Sequence, residues 1–532
     1  MKRLFFLLLI YLGLFFFGYL GIGILLHFSR SSVRILPKFI ERTLDEHWGV
    51  QQLNGTTSEL KYELIGSIHQ DTNVHIVFSD HYSDATGIFC FRGNAQRNAP
   101  TIGTLANRPQ QLSVDWVFET DQDLRTTRLG TWGGGTGWTG QALVIDWPPK
   151  LKSKLHGVFP EFIQSSNNKE VIVGSLCGKI YFLDFLSGKP TRPALTISNP
   201  IKGTVSVDPR MNGLLYVGQG IPNGNRFGAY VFNMFTGEEV YYRPGLDADA
   251  FRNWGAFDSN CLIDKLSGYW FHPGENGMIY KTKVSSDGKF SSPVKFKYQG
   301  PMKSQGLEAS FGAWNNLGFF GDNGGNVFCL NLMTMRPVWF FNNLDDTDAA
   351  MVLDIENQQP FLYVANEVDK QGANGIAVVR KLNAKTGAQL WSYGMNCRGD
   401  QLHGKTNSGG VLASVLPGKK KASGLVFSIF SRVSPTDEGR FVALDKATGK
   451  IKYQLKMDHY SWASPIDLYD QAGNCYVFFT DVFGTIYLID GVTGKIIQKK
   501  KTDCIWESSP IAWGNRIVLG ARGNRIFSFL VN

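Results

Sequence analysis

Apolar residues gather along this chain in short bursts that end on Asp or Asn and are followed at once by a Ser/Thr-Gly pair. Tyr181-Phe-Leu-Asp184 leads into Ser187-Gly188, Tyr230-Val-Phe-Asn233 into Thr236-Gly237, and Val379-Arg-Lys-Leu-Asn383 into Thr386-Gly387. Phe441-Val-Ala-Leu-Asp445 leads into Thr448-Gly449, and Tyr487-Leu-Ile-Asp490 into Thr493-Gly494. The phrase predicts a β-hairpin: the Asx side chain accepts backbone N–H groups within the turn, and glycine takes the positive-φ position that closes it. Degenerate copies at 283–288 and 331–335 fill the gaps, and the turns then recur every ~51 residues.

Four residues after the turn glycine or its equivalent come Tyr241, Trp339, Trp391 and Tyr453. A large ring at a fixed place on each outgoing strand is expected to pack on the neighbouring unit and stabilise it by burial. Two further strands precede each hairpin, with inner strands expected near Thr139, Lys202, Gly255, Glu308, Asp348, Thr406, Trp462 and Glu507. No helical period separates them. The pattern therefore predicts an all-β fold, an eight-bladed β-propeller over residues 113–532. The last unit, Ser508 to Val531, lacks an outgoing strand. Ser113 to Thr120, with Val114, Trp116 and Phe118 alternating, is expected to supply it and so remove an exposed edge.

One stretch breaks the pattern. Leu4 to Leu26 is 23 residues without a charge, about 35 Å long as a helix and enough to cross a hydrocarbon core. With no small-residue cleavage site before Arg30, an uncleaved N-terminal transmembrane anchor is expected in 1–30, and the absence of a following Cys excludes lipoprotein processing. Lys2 and Arg3 on one flank against Arg30, Arg34 and Lys38 on the other leave charge counting undecided. A segment this close to Met1 acts as a start-transfer signal, which places the C-terminal part outside the cytoplasm, in the periplasm. Residues 31–112 then read as a stalk or linker.

Composition supports many short strands and removes several function classes. Aromatic residues are 13%, charged residues 19%, and Gly numbers 59. The formal charge is +9, but the dense basic runs Lys419–Lys421 and Lys499–Lys501 sit beside predicted turns without interleaved aromatics, so no nucleic acid is expected. Seven dispersed cysteines with no CxxC motif read as buried thiols. His69, Asp71, His75, Asp80, His81 and Asp84 are the densest set of metal-ligand types, yet histidines six apart on a strand lie ~20 Å apart, so a polar stalk is expected there. Gly135 to Gly140 matches GxGxxG with no helix after it, which makes it a loop rather than a dinucleotide site. Asn54-Gly-Thr56 is a lone glycosylation sequon, and GxSxG, HExxH and phosphate-loop motifs do not occur.

Ala443-Leu-Asp-Lys-Ala-Thr-Gly-Lys450 and Ser464-Pro465, with Phe91-Arg-Gly-Asn94 ahead of the first strand, resemble the pyrroloquinoline-quinone-type propeller repeat. The resemblance implies eight blades and one of two roles. One branch comprises quinoprotein dehydrogenases, with the quinone over the central channel beside a calcium ion and usually a Cys-Cys pair against it; the other is a cofactor-free propeller that serves barrel assembly in the outer membrane. No Cys-Cys pair occurs here.

Residues just ahead of the inner strands are expected to gather at one channel mouth: Trp132, Trp138, Lys202, Arg252, Trp254, Glu308, Asp348, Lys405, His459, Trp462, Trp506 and Glu507. Aromatic faces with Lys and Arg can hold a planar polyanion, and Glu308 with Asp348 can bind a hard cation. Alternatively the tryptophans wedge between blades and the charges pair across the mouth. The second reading is preferred, and it gives a non-catalytic scaffold for protein partners in the cell envelope, with no cofactor. The alternative is a membrane-bound dehydrogenase of alcohols or sugars that uses pyrroloquinoline quinone and calcium.

Overall fold

The hairpin phrases fold as their chemistry dictates. In the computed structural model Asp445 Oδ1 accepts the N–H groups of Ala447 and Thr448 at 3.1 and 2.9 Å, and Asp490 Oδ1 those of Val492 and Thr493 at 3.1 and 2.9 Å. Gly449 and Gly494 close these turns at φ +71° and +74°. The structure describes residues 60–67, 75–127, 129–137, 140–224, 226–301, 305–402, 405–436 and 438–532, without the side chains of 400–407. These residues belong to one unit, Val50–Asn532. The expected anchor at 4–26, and His69 and Asp71, lie outside the described residues. Among the described residues no helix is long and apolar enough to cross a membrane.

The chain is nearly all β. Successive antiparallel meanders occupy 143–196, 206–244, 262–299, 312–342, 352–397, 416–456, 466–501 and 511–531. Pairing of Cys397 with Val433 joins the 352–397 and 416–456 meanders into one continuous sheet. Middle strands such as Cys475–Thr480 are buried at every position because neighbouring sheets cover both faces, whereas the outer strand Ile496–Lys501 is largely exposed. The strand plan is that of a β-propeller. Leu112–Glu119 pairs antiparallel with Arg525–Val531, so an early segment completes the last meander, as the alternation of Val114, Trp116 and Phe118 predicted.

The rings on the outer strands join one sheet to the next. Trp339, Trp391 and Tyr453 each lie over the turn glycine of the following meander: Gly387, Gly449 and Gly494. Their polar atoms donate to that turn's backbone, Trp339 Nε1 to Ala384 O at 2.8 Å, Trp391 Nε1 to Lys446 O at 3.0 Å and Tyr453 Oη to Gly491 O at 2.7 Å. Trp116 does the same across the chain's closure, lying over Gly188 and donating to Phe185 O at 3.2 Å. A β-bulge recurs between the third and fourth strands beside these rings, at Cys329/Leu330, Lys381/Leu382 and Ala443/Leu444.

Two features depart from expectation. The inner strands start later than predicted, at Leu143, Ser206, Leu262, Gly312, Val352, Leu416, Ile466 and Ile511, and the sixth is displaced most, from Thr406 to Leu416. Between the expected starts and the observed strands lie entry residues whose N–H groups go to hydroxyls of the next sheet: Gln141 N to Thr204 Oγ1, Asn260 N to Ser310 Oγ, Ser414 N to Ser464 Oγ, and Ser464 N to Ser509 Oγ. Ser464-Pro465 is part of this inner belt.

Two described segments of the interval read as a stalk or linker pair with the sheets. Lys61–Ile65 adds a fifth strand to the 262–299 sheet by pairing with Lys295–Gln299. Farther on, residues 87–102 cross the centre. Gly87–Ile88 pairs with Val144–Ile145, Arg97 donates to Phe311 O at 2.8 Å and Asn260 O at 2.9 Å, and Arg92 donates to Pro465 O at 3.1 Å. Leu353 N reaches Gln96 O, and Thr101–Ile102 pairs with Ala512–Trp513. The Phe91-Arg-Gly-Asn94 phrase is thus a central plug. Gly93, at φ +84°, admits no side chain, since a Cβ would meet Ala99 O.

Candidate functional site

Two kinds of loop converge on the face opposite the Asx turns: the entry to each first strand, and the turn between its second and third strands. In three consecutive meanders these loops carry acids or, at one place, an amide. Asp258 and Glu275 come from the 262–299 meander, Glu308 and Asn323 from 312–342, and Asp346, Asp348 and Glu367 from 352–397. Asp258, Glu308 and Asp348 line a small cavity of about 20 Å³ that opens to solvent, with Phe91 of the plug and small residues such as Thr204 and Ser310 among its other walls.

The acids form two triplets. Asp258, Glu275 and Glu308 each bring one oxygen within 4.8 Å of the others, and so do Asp346, Asp348 and Glu367. Lys202 enters the first triplet, bonding Asp258 Oδ2 and reaching Glu308 Oε1 at 3.2 Å. Burial alone would lower the Lys202 pKa, but Asp258, Glu308 and Glu275 outweigh it and hold the ammonium above its usual range. Trp254 Nε1 donates to Glu275 Oε2 at 2.9 Å, and Arg252 to Asn323 Oδ1 at 3.0 Å. Asn323 links the triplets, reaching Glu308 Oε2 at 3.4 Å and Asp346 Oδ2 at 3.3 Å. Lys370 takes Asp346 Oδ2 at 3.0 Å from outside the second triplet.

Burial, then mutual repulsion, raises several of these acids. Glu275, Asp348 and Glu367 are all held well above the usual carboxylate range, by burial first and by neighbouring carboxylates next, and burial pushes Asp346 up to about 6.

Of the sequence-predicted mouth residues, the structure brings together Lys202, Arg252, Trp254, Glu308 and Asp348. Glu507 and Trp132 meet elsewhere, joined by Arg522, which bonds Glu507 Oε2 at 2.8 Å and lies 5.2 Å from the Trp132 ring centre. His459 packs on Phe483 with ring centres 4.6 Å apart, and Trp462 on Tyr460 at 5.6 Å. Trp506 is fully buried against Phe527 and Phe529, a core side chain rather than a mouth residue. Trp138 and the Lys405 side chain lie outside the described residues. Asp258, Glu275, Asn323, Asp346 and Glu367 were not anticipated. The run Asp345-Asp346-Thr-Asp348 and the turn Gly274-Glu275-Asn-Gly277 were the available signals. His81, paired with Asp84 at 3.2 Å, belongs to neither triplet, and all seven cysteines are free and buried.

No family model matches the chain, and no curated protein matches its sequence. Similar solved structures include BamB from Moraxella catarrhalis, at 14% identity and TM-score 0.49, covering 79% of this chain and 100% of that one. A europium-containing methanol dehydrogenase matches at 12% identity and TM-score 0.42, covering 84% and 98%. A quinohemoprotein alcohol dehydrogenase from Pseudomonas putida HK5 matches at 12% identity and TM-score 0.41, covering 84% and 80%. Likeness at this level carries no argument about activity.

The site can be tested against the quinone and calcium that the dehydrogenase branch implies. A polyanionic quinone would need flat aromatic walls and cations free to meet it. Here Phe91 is the one aromatic ring among lining residues that are otherwise small, aliphatic or acidic, Trp506 is in the core, Lys202 and Lys370 are engaged, and Asp258, Glu308 and Asp348 face the cavity. The residues do not fit the quinone. They do fit a hard cation, whose ligands are carboxylate oxygens.

Proposed function

We propose that the protein is a non-catalytic, membrane-anchored propeller that acts as a protein-binding scaffold of the cell envelope, with its ring on the periplasmic side. Reading the merged 352–456 sheet as two blades makes the ring eight-bladed, of the pyrroloquinoline-quinone-like type. The observation that carries the scaffold reading is the state of the centre. One end is filled by the chain's own plug at 87–102, and the acid-rich mouth has neither the walls nor the free cations for a planar anionic cofactor. What remains for recognition is the exposed rim on the mouth face, where Phe251, Leu344 and Phe483 are 55%, 47% and 53% exposed on separate loops. Apolar side chains exposed on loops that a rigid body positions suit protein partners. Tethering raises local concentration, so such contacts need little intrinsic affinity.

The test places a photo-crosslinking residue at Phe251, Leu344 or Phe483 in the full-length chain in cells. Discrete adducts with envelope proteins are expected from these positions and not from an outer-strand control at Lys500. Saturable quinone binding with dye reduction by the purified protein, and no adducts, would overturn the reading in favour of a dehydrogenase.

A further inference from the structure

The two acid triplets are built alike and neutralised differently. In the first, Lys202 stands between Asp258 and Glu308, so the chain supplies its own counter-cation. In the second, Lys370 touches only Asp346 Oδ2, on the side shared with Asp369. Asp346 is 93% buried by its 7% exposure, and its other oxygen, Oδ1, has no hydrogen-bond partner; neither has Asp348 Oδ1. A buried carboxylate oxygen without a donor costs on the order of 1–3 kcal/mol, and both acids that carry one belong to the triplet with Glu367. Asp348 also lines the cavity, which gives a small ion a path from solvent.

From these observations we propose that Asp346, Asp348 and Glu367 form a binding site for one hard divalent cation of the calcium class, occupied without any quinone. Three oxygens within 4.8 Å of one another need only a small inward turn to reach bonds of about 2.3–2.6 Å. The ion does for this triplet what Lys202 does for the other, and water from the cavity completes its coordination. It joins the entry loop of the 352–397 meander to the turn between that meander's second and third strands, and so stiffens one sector of the mouth. This site does not depend on the scaffold reading, because the ion is structural and would sit equally in a protein with another role.

The experiment strips the full-length, detergent-purified protein with a chelator and titrates calcium chloride by calorimetry, with melting temperature as a second readout. One calcium per chain is expected, with a rise in melting temperature and no requirement for added quinone. Asp348→Asn and Glu367→Gln should each weaken calcium binding at least tenfold and abolish the thermal shift. Without calcium each variant should melt at or above the parent's temperature, because it removes a repelling charge; a merely structural role would lower it. Asp84→Asn, at an exposed position, should change nothing. The inference is overturned if the parent takes up no calcium, if both triplet variants bind as tightly as the parent, or if uptake occurs only with quinone present. The last result would at the same time count against the scaffold reading, whereas the first two leave it standing.

Discussion

Among single residues, a buried carboxyl and a turn glycine make two sharp tests. Asp322 sits in the turn Asp322–Gly325 and accepts hydrogen bonds from Tyr298, Asn326 and the Gly324 N–H, yet burial outweighs these donors and pushes it from 3.8 up to about 7. A carboxyl whose pKa is higher in the folded state keeps its proton while the unfolded chain loses it. Its contribution is therefore complete below about pH 4 and is lost as pH rises through 7. Asp322→Asn keeps an acceptor and cannot ionise, so its melting temperature relative to the parent should climb between pH 4 and 7.5; a flat difference would refute the assignment. Gly449 is the second test. At φ +71°, with a Cβ that would lie 2.6 Å from the Trp391 ring, Gly449→Ala pays roughly 1–2 kcal/mol for the left-handed backbone before any displacement of the indole. Gly424→Ala, where nothing lies within 4 Å of the added atom, should stay within about 0.5 kcal/mol. Urea midpoints compare the two.

At the scale of strands and turns, the unit of stability is the ring that crosses from one sheet to the next turn. Trp391 is 2% exposed and holds Lys446 O through Nε1. Trp391→Phe keeps most of the packing and should lose about 1 kcal/mol, whereas Trp391→Ala should lose about 3–5 kcal/mol; equal losses would mean that the hydrogen bond, not the buried ring, joins the sheets. This level was legible before any coordinates, because the Asx turn, its glycine and the ring four residues on are local chemistry repeated at a fixed period. The inner strands were less legible. They are short, and their entry residues spend their N–H groups on hydroxyls of the next sheet, as at Gln141 and Ser414, which no local pattern announces. The mouth was half legible for a related reason. Residues ahead of the inner strands led to Lys202, Glu308 and Asp348, but Glu275 and Glu367 arrive on a different turn, and only the fold brings the two loops together. Trp506 was misplaced because an aromatic residue beside a strand entry reads the same whether it faces the channel or the sheet interior.

For the whole molecule, closure depends on chain segments far apart in sequence. The last meander borrows Leu112–Glu119 as its outer strand, and Trp116 then carries the join to the first meander's turn. The plug adds a second set of long-range ties, since Arg92 and Arg97 bond carbonyls of residues as distant as Pro465 and Phe311. Such contacts are costly in loop entropy and form only when most of the ring is in place. A chain ending at residue 523 loses Arg525–Val531, and with it the partner of both Leu112–Glu119 and Arg516–Gly520. Two apolar edges are then open in one sheet, a template for pairing between chains. Size-exclusion chromatography with light scattering should show the truncated chain associating at concentrations where the intact chain does not, and a synthetic peptide of residues 524–532 should restore the intact chain's profile by refilling the gap. If the truncated chain keeps both the profile and the melting temperature of the intact one, the terminal strand is not what closes the ring, and the plug at 87–102 must be holding the sheets together by itself.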